Sequence, residues 1–175
     1  MRRFFWWLTK ATRLQRDKDS GARPVNAGES AFKVLLVPDD YHLQDVGYTA
    51  QGNGFWITQH LVSEIGGTRD FVGAYIFDSE GELLSSEVVD QGLRSEPDYI
   101  APADVVTRLR RKIDASCSEQ IWVKPFSVQF YGHDFGLVVR DEDVDDQGPD
   151  DIVVDLLPGC TLMFYGPWDS CNYDT

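Results

Sequence analysis

From Phe32 to Tyr165 the chain alternates short apolar runs with polar breaks that carry Gly or Pro. Phe32 to Val37 is too apolar to expose both faces, which predicts a strand ended by Pro38-Asp39-Asp40. After Gly52-Asn53-Gly54, residues Ile57, Leu61 and Ile65 recur at every fourth position, with Val62 beside them. That spacing predicts an amphipathic helix, capped by Asn53 and closed by Gly66, with Phe55 and Trp56 at its start. Thr58, Gln59, Ser63 and Glu64 would face water.

Phe71 to Asp78 and Leu83 to Val89 flank Ser79-Glu80-Gly81-Glu82 and predict a hairpin. Pro102 opens a second helix whose apolar face is Val105, Val106, Leu109 and Ile113. Arg108, Arg110, Arg111 and Lys112 gather in its last half, where cations offset the helix dipole. The last third predicts strands over 121–131, 134–140, 152–157 and 160–165, arranged as an antiparallel meander. Pro125 places the first of these at an edge or a bulge. The fold class implied is α+β: an antiparallel sheet with two amphipathic helices packed on it. Residues 1–31 are a basic N-terminal segment and linker, and residues 32–175 a single domain.

Composition supports a real core. Apolar residues make up 42% of the 175 and aromatics 13%, richer than a disordered chain. Charge is unevenly placed. The net value is −13, yet residues 1–23 carry seven Lys or Arg against Asp17 and Asp19. That segment is +5, and the rest of the chain is −18. So acidic a body argues against binding a phosphate backbone and favours solubility or a basic partner.

The three cysteines, Cys117, Cys160 and Cys171, are odd in number and form no CxxC pair. They suggest a reduced, cytoplasmic protein with neither a disulfide framework nor a zinc site. At the N-terminus, Phe4, Phe5, Trp6, Trp7 and Leu8 are an apolar patch between basic residues. It is too short for a signal peptide or a membrane span. It suits either a membrane-surface contact or a packed terminal helix.

Chemistry-bearing patterns are sparse. Asp141, Glu142, Asp143, Asp145, Asp146, Asp150, Asp151 and Asp155 lie in one stretch without a basic residue. The alternating acids resemble the start of a calcium loop. Counted from Asp141, however, the sixth position is Asp146 and the twelfth Ile152; from Asp143 the twelfth is Val154. A solvated loop or a docking surface for a basic partner fits better. His42, His60 and His133 stand at no metal-pair spacing, and no cofactor or metal is expected. His133-Asp134-Phe135-Gly136 lacks the companion motifs of a kinase, and Cys117 lacks a local His. A small hydrolase using Cys117, His133 or Asp134 is therefore an alternative without a specific signal. In the tail, Trp168, Asp169 and Tyr173 suit either an interface or a plug at the core edge.

One stretch resembles a known family. Gly47, Tyr48, Gly52, Asn53, Gly54, Phe55 and Trp56, with the later Phe77 to Leu83 segment FDSEGEL and the helix from Pro102 to Ile113, look like the immunity protein 51 family of bacterial polymorphic toxin systems. The resemblance covers about residues 33–115. It implies a non-enzymatic protein that binds and neutralises a cognate toxin. The acidic body adds the expectation that the toxin is basic, as around a nuclease site, with no nucleic acid bound by the chain itself. Candidate contacts are Asn53, Trp56, Asp141, Glu142, Asp143, Asp145, Asp146, Asp150, Asp151, Trp168, Asp169 and Tyr173. A structural domain held at a membrane surface by Phe4, Phe5, Trp6 and Trp7 is the other alternative.

Overall fold

Gly54–Glu64 is a strand, β4. The computed structural model describes residues 23–25, 32–140 and 152–175. These form thirteen strands and one helix, a β-rich fold in place of α+β with two helices. The correction has a physical reason. Positions four apart share a face on a strand as well as on a helix, because any even spacing does. Across from Phe55 and Ile57, residues Trp56, His60 and Val62 are also buried. A strand covered on both faces shows no apolar–polar alternation. Aromatic and β-branched residues at 55–58 and 62 favour the pleated form.

The expected ends of that helix become turns. Asn53 accepts the Thr49 N–H on its carbonyl at 2.9 Å, and its own N–H donates to Thr49 Oγ1 at 3.3 Å. This closes the connection from β3 (Asp45–Thr49) to β4. At the other end, Glu64 pairs with Gly67, leaving Ile65 and Gly66 as a two-residue turn. Ile65, expected in the core, is fully exposed at its tip.

β4 pairs over its whole length with β5 (Gly67–Phe77), from Gly54 opposite Phe77 to Glu64 opposite Gly67. β5 pairs with β6 (Leu83–Leu93), which makes the expected hairpin longer than the apolar runs suggest. With β7 (Ala115–Cys117) beside β3, the first sheet runs β6-β5-β4-β3-β7, all antiparallel. A two-stranded sheet joins β2 (Val34–Leu36) to β8 (Ile121–Val123). The predicted run 121–131 breaks at Pro125 into β8 and β9 (Ser127–Phe130). The third sheet holds β1 (Arg23–Val25), β9, β10 (His133–Val139), β11 (Val153–Leu157), β12 (Met163–Tyr165) and β13 (Tyr173–Asp174), in that order. From β9 onward this is the expected antiparallel meander. Tyr131 and Gly132 make the β9–β10 turn with φ of 51° and 77°, the mirror-image geometry that matches strand twist.

The main core lies between the sheets. Trp56, Tyr75 and Phe77 meet Phe135, Leu137, Leu156 and Phe164, with Val34 and Ile121 closing one side. On the outer face of the first sheet, α1 (Pro102–Lys112) sets Val105 and Leu109 on Phe55, Ile57, Val72 and Ala74. This is the helix that Pro102 and the apolar spacing predict.

Gly47 marks where β3 passes closest to its neighbour. A Cβ there would lie 1.9 Å from the Cys117 carbonyl oxygen, a backbone atom held by pairing. Gly47→Ala is expected to cost about 3 kcal/mol or more. Gly52 has φ +83° with open space around it, so Gly52→Ala should cost only about 1 kcal/mol. Denaturant unfolding of the two variants checks the order.

Candidate functional site

Charge is the first property the fold organises. All nine Lys and Arg after residue 23 are among the described residues. Seven of them are in ion pairs. Arg69 holds Glu64 at 3.0 Å and Asp90 at 3.0 Å, and also lies 5.0 Å from the Tyr131 ring. Arg94 holds Asp70 at 2.8 Å. Arg110 pairs with Asp45, Lys112 with Glu87, Lys124 with Glu82, Lys33 with Glu80 and Arg140 with Asp155. Arg108 and Arg111, on α1, have no carboxylate partner among the described residues. The cations among the described residues are thus largely neutralised from within, and carboxylates outnumber them.

Asp155 belongs to the first kind of carboxylate, not the second. The sequence places it in the acidic stretch, but it sits in β11, buried, and takes Arg140 through both oxygens at 2.8 and 2.7 Å. Asp141, Glu142, Asp143, Asp145, Asp146, Asp150 and Asp151 lie outside the described residues. So do Phe4, Phe5, Trp6 and Trp7.

The remaining candidate contacts separate. Trp56 is fully buried in the main core, which removes it from any surface presented in this conformation. Asn53 is half-buried in the β3–β4 turn. Trp168 stacks on Phe32, with ring centres 4.5 Å apart, and its carbonyl accepts the Leu35 N–H at 3.0 Å. Tyr173 donates its hydroxyl to Asp39 Oδ2 and packs on Phe164. Both aromatics therefore dock the tail, the plug alternative, while Asp169 beside them is exposed.

That docking builds a small polar unit. Burial alone would raise the Asp39 carboxyl. Hydrogen bonds from Tyr173 and from the N–H groups of Leu43 and Tyr41 outweigh it and hold the pKa below its usual value. Burial, and then the bond to Asp39, pushes Tyr173 up to about 12.

The hydrolase candidates lie on two different sheets. Cys117 is on β7 in the first sheet, whereas His133 and Asp134 are on β10 in the third. Asp134 accepts from Ser127 Oγ at 2.9 Å and from Gln129. Among the described residues, no group of three His, Cys, Asp or Glu could hold a metal, and no helix is long and apolar enough to cross a membrane.

His60 is the histidine the fold uses most, and the sequence marks it only as a neighbour of the apolar face. It is fully buried, and its Nε2 takes the Tyr75 hydroxyl at 2.8 Å. Phe135 packs edge-on at 5.1 Å. A Cβ on Gly73 would lie 2.5 Å from the Tyr75 oxygen and 2.9 Å from His60 Nε2, so glycine makes the room for this pair. Burial pushes the imidazole down to about 3 and the phenol upward. A neutral, enclosed pair of this kind ties β4 to β5 inside the core.

On the outer face of the first sheet, α1 covers β4 only as far as Ile57. Beyond it, Gln59 and Leu61 form the floor of a cleft of about 240 Å³. Tyr41 and His42 wall one side, Val106 and Arg94 another, and Thr161 and Leu162 a third. No sequence pattern joins these residues, which come from five separate stretches. No family model, no curated protein and no solved structure matches the chain.

Proposed function

We propose that this chain is a non-enzymatic immunity-type protein that binds and neutralises a basic protein toxin. The observation that carries the reading is the internal neutralisation of the fold's cations. Seven of the nine Lys and Arg after residue 23 are matched by carboxylates of the same chain, while that part of the chain is −18 overall. Its excess negative field is open to a partner of the opposite sign. The resemblance carried by Gly47, Tyr48, Gly52, Asn53, Gly54, Phe55 and Trp56 supports the same reading.

The contacts in this proposal are Asp169, Asn53 and the carboxylates between Asp141 and Asp151. A toxin that acts on nucleic acid carries cations around its site, and a carboxylate-rich surface can occupy that site in place of phosphate. Trp56 contributes to this surface only by holding β4 in the core.

The test is co-expression with the toxin-like product of a neighbouring gene. The two chains should co-purify and the cells should survive. A toxin that still kills, with no chain retained on it, would overturn the reading.

A further inference from the structure

The cleft beside α1 contains an arginine that is held unusually firmly for a half-exposed residue. Asp70 is 1% exposed, on the α1 face of β5. Its Oδ2 accepts both Arg94 Nε at 2.8 Å and the Tyr99 hydroxyl at 2.6 Å, while Arg94 itself remains 55% exposed. Burying a carboxylate is costly, and the pairing with Arg94 and Tyr99 offsets part of that cost at Oδ2, while Oδ1 has no partner among the described residues. The result is a guanidinium oriented through Nε, whose terminal nitrogens have no carboxylate of their own among the described residues.

Two further observations concern the same cleft. His42 also lines it, although its Nε2 is closed off from solvent and has no hydrogen-bond partner among the described residues. The rest of the lining is mixed: Ile57, Leu61, Val106 and Leu162 are apolar, while Gln44, Thr58, Gln59 and Thr161 are polar. Asp45 also lines the cleft, but its charge is met by Arg110. A cleft that sets an oriented cation beside apolar side chains has the elements of a site for a ligand that is charged at one end and apolar at the other.

We propose that this cleft binds a carboxylate carried on a short, branched apolar body. The carboxylate sits on the terminal nitrogens of Arg94, and the apolar body lies on Leu61, Val106 and Leu162. The carboxylate can come from a free acid or from the last residue of a peptide. The site does not depend on the toxin reading, and its test uses no toxin.

The probes are isovalerate for the free acid and N-acetylleucine for a peptide end, each beside its amide, titrated into the full ¹⁵N-labelled chain and followed by NMR. Either acid should shift the Gln59 side-chain amide and the Thr161 N–H saturably, with the amides inert. Whichever acid binds more tightly identifies the source. Arg94→Lys keeps a cation on Asp70 but loses the fork, and should weaken binding about tenfold or more. Leu61→Trp fills the cleft without touching the ion pair and should abolish binding. Amides that bind as well as acids, shifts confined to other surfaces, no saturable shift, or acid binding unchanged in both variants would each overturn the proposal.

Discussion

Acidifying the protein from pH 6.5 to pH 5 is expected to remove about 2 kcal/mol of stability through His60 alone. The unfolded chain takes up a proton on this imidazole near its ordinary pKa of 6.5, whereas the folded chain resists until about 3. Between those values the unfolded state holds more protons, so stability falls as pH falls, by about 1.4 kcal/mol per unit. Above pH 6.5 the contribution is fully present. The cause is burial: the ring is enclosed by Tyr75 and Phe135, and the Tyr75 hydroxyl holds its Nε2. Unfolding free energies measured by denaturant at each pH, for the native chain and for His60→Gln, separate this from carboxylate effects. The native slope between pH 6.5 and 5 should be steep and that of His60→Gln shallow, whatever the variant's absolute stability. Equal slopes would mean that His60 is not the neutral, buried group described above.

Trp56→Ala should cost about 3–5 kcal/mol, because it opens a cavity in the middle of the main core. Trp56→Phe should cost far less, about 1–2 kcal/mol, since the indole N–H has no partner to lose. Asp169→Ala, on the exposed tail, should stay within about 0.5 kcal/mol of the native value. Thermal and denaturant unfolding of the three variants distinguishes a core role for Trp56 from a surface one. A surface tryptophan would leave stability nearly unchanged and lower only partner affinity.

Much of the architecture could be read from local pattern. The turn at Glu80-Gly81, the proline opening α1 and the C-terminal meander are each marked by residues close together in sequence. β4 could not be read this way, for a specific reason. Ile57, Leu61 and Ile65 satisfy two periods at once, and the residues that distinguish them, Trp56, His60 and Val62, are apolar or ambiguous as letters. Only the third sheet packed on one side and α1 on the other show that both faces are covered.

The candidate site was harder still to read. Trp168 and Tyr173 are aromatics beside carboxylates, and sequence cannot say which of the two roles they take. Their partners Phe32 and Asp39 lie more than a hundred residues away. The pairing of Arg140 with Asp155 crosses the whole acidic stretch. Asp70, charged beside an apolar run, is the one hint near the cleft that the letters contain, and it names none of the residues that line it. A buried carboxylate requires a cation, and Arg94 supplies it from the next strand's end.

The central claim is that an acidic surface, left unmatched by the fold's own cations, draws a basic toxin. The most direct measurement is the dissociation constant of the purified chain for the basic toxin domain encoded beside it, taken across a salt series. The account predicts tight binding at low ionic strength that weakens at least tenfold toward about 0.5 M salt, mainly through slower association. Affinity that is independent of salt, or absent at every salt concentration, would contradict it.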